Sequence, residues 1–222
     1  MKPYHERLAR IALSVIADRG FVLAGGYAIS QNGMGERPSM DVDLFTDRNS
    51  PESFSIALAE VRQTFQNHGL NVEVVTEVPM FANLQVSDTA TGETSELQLC
   101  YDYRYFPPVL LSIGPVLAPD DAVKNKMSAL WSRGYVRDFI DIDAVLRSGM
   151  YTRREVLALG DTAEALPFDK KWLAARFRTI TEFNEEAFAQ YGVTAAQREE
   201  IIKLFLQWAD EIDPCGRATL AQ

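Results

Sequence analysis

The sequence predicts an α+β fold, with a small mixed β-sheet flanked by helices and a helical C-terminal half. Three observations carry this. Apolar residues recur at helical spacing from Leu8 to Ile16, switch to alternation in several runs up to Tyr103, and return to helical spacing beyond Pro119. Gly20, Gly25-Gly26, Gly69 and Thr91-Gly92 punctuate these runs as stops and turns. The order is helix, strand, turn, strand, helix, three strands, then helices only, so strands and helices segregate along the chain. The division expected is a core over residues 1–118 and a helical region over residues 119–222.

Each element follows from its local signals. Leu8, Ile11, Ala12, Val15 and Ile16 share a helical face, and Gly20 ends that helix. "FVLA", Phe21 to Ala24, is a short buried strand that turns at Gly25-Gly26 into a short helix from Tyr27 to Gln31. "DVDLF", Asp41 to Phe45, is the next strand. Ser50 as cap, Pro51 at the first helical position and Glu52 in the first turn open a second helix. Phe54, Leu58, Val61 and Phe65 form its apolar face.

"LNVEVVTEV", "ANLQVSD" and "ELQLCYDY" alternate as strands. "APDDAVKNKMSALWSRG" is helical, with Asp120 near its cap and an apolar row of Val123, Met127, Leu130 and Trp131; Lys124 is expected to face solvent. Another helix spans Val136 to Arg147. Two longer helices are expected from Asp169 to Gln190 and from Ala195 to Ile212, with Thr194 and Gln197 as a capping box for the last. Trp172, Phe177, Ile180 and Phe183 are expected in the core. The aromatic run Tyr101, Tyr103, Tyr105 and Phe106 is expected to pack there too, with base stacking as the alternative use.

Composition narrows the function. The 222 residues suit one domain, or one with a helical appendage. No stretch approaches the roughly 18 apolar residues of a membrane span, and "MKPYHERLAR" is charged and helical rather than a signal peptide. A cytoplasmic protein without membrane contact is expected. Cys100 and Cys215 lie far apart, and His5 and His68 are the only histidines, which disfavours a zinc site or a histidine-based triad. His68, in "QNHGL", reads as a surface cap. A net charge of −9 argues against a broad basic surface. The basic residues cluster between Lys124 and Arg178, which leaves room for a local basic patch.

The chemistry concentrates in two segments. On a strand Asp41 and Asp43 share one face while Val42 and Leu44 share the other. Carboxylates roughly 7 Å apart at most are costly to hold together without a cation, and oxygen donors at that spacing suit Mg²⁺ or Mn²⁺. A sharp turn at Gly25-Gly26 exposes backbone N–H groups able to cradle a phosphate. D-x-D alone also occurs on solvated strand faces and Gly-Gly in ordinary turns; their combination is the specific feature.

"LAGGYAI" followed by "RPSMDVDLF" resembles the opening motif of the DNA polymerase β-like nucleotidyltransferase superfamily, a hydrophobic residue with Gly-Gly and then D-x-D. Arg37, Ser39, Asp41 and Asp43 as R-x-S-x-D-x-D resemble the AbiEii/AbiGii-type nucleotidyltransferase toxin family. "KNKMSALWSRGYVRDFIDI" extends that resemblance through Lys126, Ala129, Leu130, Arg133, Arg137, Asp138 and Asp141. Two departures stand out. The third-carboxylate position holds Gln98, with Glu96 and Asp102 on the same face. The interval from Gly26 to Asp41 implies a longer loop through Asn32 to Glu36.

The resemblance implies a nucleotidyltransferase fold whose C-terminal helical region completes the active site. It implies a metal-dependent enzyme that transfers NMP from an NTP to an acceptor hydroxyl and releases pyrophosphate. Asp41 and Asp43 would hold Mg²⁺ or Mn²⁺; Gly25, Gly26, Arg37 and Ser39 would bind the nucleotide; Lys126 would grip the triphosphate; and Asp141 would orient a neighbouring group or assist deprotonation. From spacing alone Arg137 and Asp141 form an intrahelical ion pair, and Asp138 is expected to anchor an arginine such as Arg133. The family further implies a toxin with a cognate antitoxin and an RNA acceptor, the tRNA 3′ end among the options. The alternatives are a small hydroxylated acceptor such as an antibiotic, or a catalytically silent nucleotide-binding module.

Overall fold

The computed structural model describes residues 1–163 and 168–215. The chain forms two compact units, one of Met1–Asn32 with Pro38–Ala122 and one of Gly33–Arg37 with Val123–Gln222.

The first unit contains α1 (Pro3–Ile16), β1 (Phe21–Leu23), α2 (Gly25–Gln31), β2 (Asp41–Thr46), α3 (Pro51–Asn67), β3 (Leu70–Val78), β4 (Phe81–Asp88), β5 (Thr94–Tyr101), β6 (Val109–Leu111) and β7 (Gly114–Val116). The strands form one sheet in the order β3-β4-β5-β2-β1-β7-β6. It is mixed, as expected: β2 runs parallel to β5 and antiparallel to β1, and β4 runs antiparallel to both β3 and β5.

Alternation sorts the two faces of this sheet. Val42 and Leu44, Leu97 and Leu99, and Ala82, Leu84 and Val86 are fully buried on one face. That face carries Ser95 and Asp88, and α1 lies over it with His5 on Ser95 and Arg7 paired to Asp88. Removing such apolar side chains from water stabilises by about 1.5–3 kcal/mol each. The opposite face presents Asp41, Asp43, Glu96, Gln98 and Asn83. Ser50 caps α3 by accepting from the Ser53 N–H, and His68 ends that helix on the surface.

The second unit holds α5 (Val136–Arg147), α6 (Arg153–Ala163), α7 (Lys170–Arg178), α8 (Glu185–Ala189) and α9 (Ala195–Ile212), and the boundary between units falls within α4 (Pro119–Ser132). Its core is aromatic. Phe205 meets Phe139 and Phe177 edge-on at 4.9 and 5.2 Å, and Phe177 lies 4.8 Å from Trp208. Thr194 and Gln197 form the anticipated capping box.

Several expectations are corrected. The two three-residue strands β6 and β7 and the helix α6 carry no clear periodic signal, and the sequence reading omitted them. The single helix expected over Asp169–Gln190 is broken into α7, a 3-10 turn at Thr179–Glu182, and α8, whose start Asn184 caps. Lys124 is buried, with 4% exposed, because α4 is covered around most of its circumference, Val123, Lys126 and Met127 included. Tyr103, Tyr105 and Phe106 are exposed: the chain there is held through its backbone, and the rings point outward. Trp172 is also exposed, whereas Phe177 and Ile180 are buried as expected.

His5 is buried between the Tyr27 hydroxyl, 2.7 Å from Nδ1, and the Ser95 hydroxyl, 3.0 Å from Nε2. Burial, ahead of the nearby Lys2 charge, pulls this imidazole below its ordinary pKa, against the opposing influence of Asp41 and Glu93. The unfolded chain therefore takes up the proton first. Stability is fully present above about pH 6.5 and is lost as pH falls from there through the folded value. Melting temperature followed across this range should decline on acidification, and His5→Gln should flatten the decline.

Candidate active site

The acidic part of the site is built on β2. Strand geometry puts Asp41 and Asp43 on the same face, and both are half-buried while Val42 and Leu44 are fully buried. Ser39, itself buried, donates its hydroxyl proton to Asp41 Oδ1 at 3.1 Å and so orients that carboxylate. In the parallel pairing with β5, Glu96 stands opposite Asp41 and Gln98 opposite Asp43. The register thus puts an amide, not a third acid, opposite Asp43. Asp102 lies beyond β5 and donates its backbone N–H to Thr46. Among the described residues no three histidine, cysteine or acidic side chains group as metal ligands.

The glycine turn meets Asp43 directly. Gly25 has a φ of +58°, and a Cβ built on it would fall 1.7 Å from Asp43 Oδ2. The Ala24 N–H donates to the Asp43 carbonyl at 2.8 Å, which locks the turn to the strand. Only glycine satisfies both the left-handed backbone and the close approach. Gly26 follows it in the first turn of α2.

This acidic face leaves its mark on Cys100, which lies on it. Burial first, then the charges of Asp102 and Asp43, push the thiol up to about 11, so it stays protonated and unreactive at neutral pH.

The second unit holds a separate charge cluster. Asp141 of α5 is 3% exposed. Arg37 grips it bidentately, Nε to Oδ1 at 2.7 Å and a terminal nitrogen to Oδ2 at 2.9 Å, while Lys126 Nζ lies 2.8 Å from Oδ2. The Arg37 guanidinium also lies 5.1 Å over the Tyr191 ring. Burial works to raise the Asp141 carboxyl, but the Lys126 charge and the Arg37 hydrogen bonds outweigh it and hold the group below the usual carboxylate range. The spacing of Arg137 and Asp141 did suggest a local pair, yet Asp141 is committed to partners distant in sequence. Asp138, fully buried, anchors Arg133 through both oxygens at 3.1 Å and accepts from the Tyr135 N–H.

Sequence reasoning missed Asp121. This buried carboxylate on the first turn of α4 accepts from the Tyr105 and Phe106 backbone N–H groups at 2.9–3.1 Å. The signal available was an acid at a helix start, which reads equally well as a local cap.

The family model described as nucleotidyl transferase AbiEii toxin, type IV TA system, matches residues 7–221. Two solved structures share the fold. MenT4, a nucleotidyltransferase toxin from Mycobacterium tuberculosis H37Rv, superposes with a TM-score of 0.63 at 17% identity, covering 97% of this chain and 86% of its own. JHP933 from Helicobacter pylori gives 0.57 at 18% identity, with 98% and 94% covered. A search of the curated proteins returned no match.

Two substitutions test the geometry. Gly25→Ala should force the turn away from Asp43 and cost about 1–3 kcal/mol, read as a lowered melting temperature; an unchanged melt would contradict the close approach. Asp141→Asn leaves Arg37 and Lys126 buried without their carboxylate and should cost about 3–5 kcal/mol, measured by denaturant unfolding.

Proposed function

The chain belongs to the nucleotidyl transferase AbiEii toxin family of type IV toxin–antitoxin systems, and from that premise we propose a metal-dependent transfer of NMP from an NTP to a hydroxyl of an RNA, with the tRNA 3′ end as the favoured acceptor. Family membership makes the chain a nucleotidyltransferase with an NTP substrate and an antitoxin counterpart. The observation that carries the reading further is the pair Asp41 and Asp43 on one face of β2, with the Gly25 backbone in contact with Asp43.

These residues fit a divalent ion. Their oxygens are hard donors, Ser39 fixes one of them, and the bare Gly25 backbone lets the Asp43 carboxylate pack directly against the turn. Mg²⁺ or Mn²⁺ held by Asp41 and Asp43 would supply charge neutralisation at the phosphates. The chain's own groups do the rest. Backbone N–H groups at Gly25 and Gly26 would hold phosphate oxygens, and Lys126 would neutralise phosphate charge. Arg37 would share that task while Asp141 holds both cations in place. A carboxyl kept below the usual range is a weak base, which favours positioning over proton abstraction for Asp141.

In the reaction the acceptor oxygen bonds to the α-phosphorus and the α–β anhydride bond breaks. Pyrophosphate leaves with the electron pair and the acceptor proton passes to solvent. Such chemistry needs alignment and charge stabilisation rather than a covalent protein nucleophile. The protein would act in the cytoplasm, and among the described residues no helix is long and apolar enough to cross a membrane.

The acidic balance of the chain, −9 overall, gives some support to a second reading with a small cationic hydroxylated acceptor. Labelled NTPs, Mg²⁺ and either total RNA or a panel of small acceptors separate the two. Label should enter RNA with the wild type and fall by roughly a hundredfold to a thousandfold with Asp41→Ala, on the scale typical for losing an electrostatic catalytic group. Induced expression should arrest growth for the wild type alone. Equal labelling by both proteins would sink the mechanism.

A further inference from the structure

The helical unit carries a cationic–aromatic surface at the turn between α4 and α5 that the chemistry above does not use. Tyr135, the residue capping α5, is 53% exposed, and the guanidinium groups of Arg133 and Arg137 lie over its ring at 5.1 and 5.7 Å. The neighbouring Arg176 is held rigidly: it donates to the Trp131 and Ser132 carbonyls at the end of α4 at 3.2 and 3.1 Å. Arg176 packs so closely on Gly134 that a Cβ there would fall 2.5 Å from its side chain. The same guanidinium lies 5.7 Å over Trp172, which is 54% exposed and follows the exposed Lys170 and Lys171.

The result is two aromatic–guanidinium groupings, linked where Arg176 packs on Gly134 next to Tyr135, on a chain that is acidic overall. Two carboxylates on these elements are engaged locally: Asp138 binds Arg133 and accepts from the Tyr135 N–H, and Asp169 accepts from the Trp172 N–H.

We propose that this surface binds single-stranded RNA, with bases extending the Arg133–Tyr135–Arg137 stack and stacking on Trp172, and phosphates facing the flanking cations. Unpaired bases are what exposed aromatic and guanidinium planes can accept; a duplex hides them. A protein partner would also use aromatics and arginine, but the two lysines before Trp172 argue against it, since lysine is depleted in protein interfaces. Arg137 lies one helical turn before Asp141 on α5, so RNA held there runs close to the Arg37–Asp141–Lys126 cluster. The proposal rests on the RNA-acceptor reading, yet its test needs no catalysis.

Binding of a fluorescent single-stranded RNA and of a matched duplex is measured by anisotropy, without NTP or added metal. The wild type should prefer the single strand. Tyr135→Ala with Trp172→Ala should weaken binding by roughly tenfold or more, while Tyr135→Phe with Trp172→Phe keeps it. Arg137→Gln should lower the salt dependence by about one phosphate contact. Melting curves of these exposed-site variants report whether each is folded. Asp41→Ala must keep RNA binding while losing transfer; if it keeps both, the catalytic reading fails and this one stands. Failure of the wild type to bind RNA would hand the surface to a protein partner and overturn the proposal, as would unchanged binding by the double alanine variant.

Discussion

Beside its aromatic core, the helical unit depends on one buried carboxylate that is paired on both oxygens with partners distant in sequence. Asp141 has few options once it is removed from water: it must be paired on both oxygens or be neutralised. Arg37 and Lys126 satisfy it, and in doing so they bring a five-residue segment from early in the sequence, Gly33–Arg37, into a unit otherwise made of the second half of the chain. The long interval between Gly26 and Asp41 contains this segment: after Asn32, at the end of α2, the chain contributes Gly33–Arg37 to the helical unit and resumes the first unit at Pro38.

Much of this was legible in the sequence because it depends on local rules. β3 begins and ends where the alternation does, at Leu70 and Val78, and the Ser50–Pro51 start and the Thr194–Gln197 box mark their helices. The shared face of Asp41 and Asp43 follows from the pleat alone. What escaped depends on non-local packing. Strands β6 and β7 are too short for a period to register. Lys124 and Lys126 are two residues apart and nearly equivalent in composition terms, yet both are buried, because nothing in a helical pattern reveals how much of its circumference is covered. Trp172 shares helical spacing with Phe177, but it lies in the first turn of α7, meets Trp131 only by its edge, and remains exposed. Gln98 in register with Asp43 was legible as a departure; that the same face would press on Gly25 was not.

The aromatic run at Tyr103–Phe106 shows how a polar anchor can invert an apolar expectation. A loop entering the core must satisfy its backbone N–H groups. Here Asp121 takes those of Tyr105 and Phe106, and Arg104 binds the Gly20 carbonyl and Asp47, so the segment is fastened through polar contacts. With the backbone fastened in this way, the rings are left largely exposed, Tyr103 meeting Tyr105 edge to face at 4.9 Å. Composition alone would have put them inside.

The acidic face also sets what the enzyme requires of its surroundings. Asp41, Asp43 and Glu96 occupy adjacent positions in the β2–β5 register, which concentrates negative charge on one face of the sheet. A triphosphate carries the same sign. Close approach would be opposed unless positive charge is provided where the two meet, because repulsion between groups a few ångströms apart is strong wherever water is displaced. The divalent ion proposed for this face would meet that need, since a hard cation can be bound by these carboxylates and by phosphate oxygens together. In the helical unit the same rule of charge is met differently: the cations Arg37 and Lys126 are held by a carboxylate of their own, Asp141, whose burial demands them.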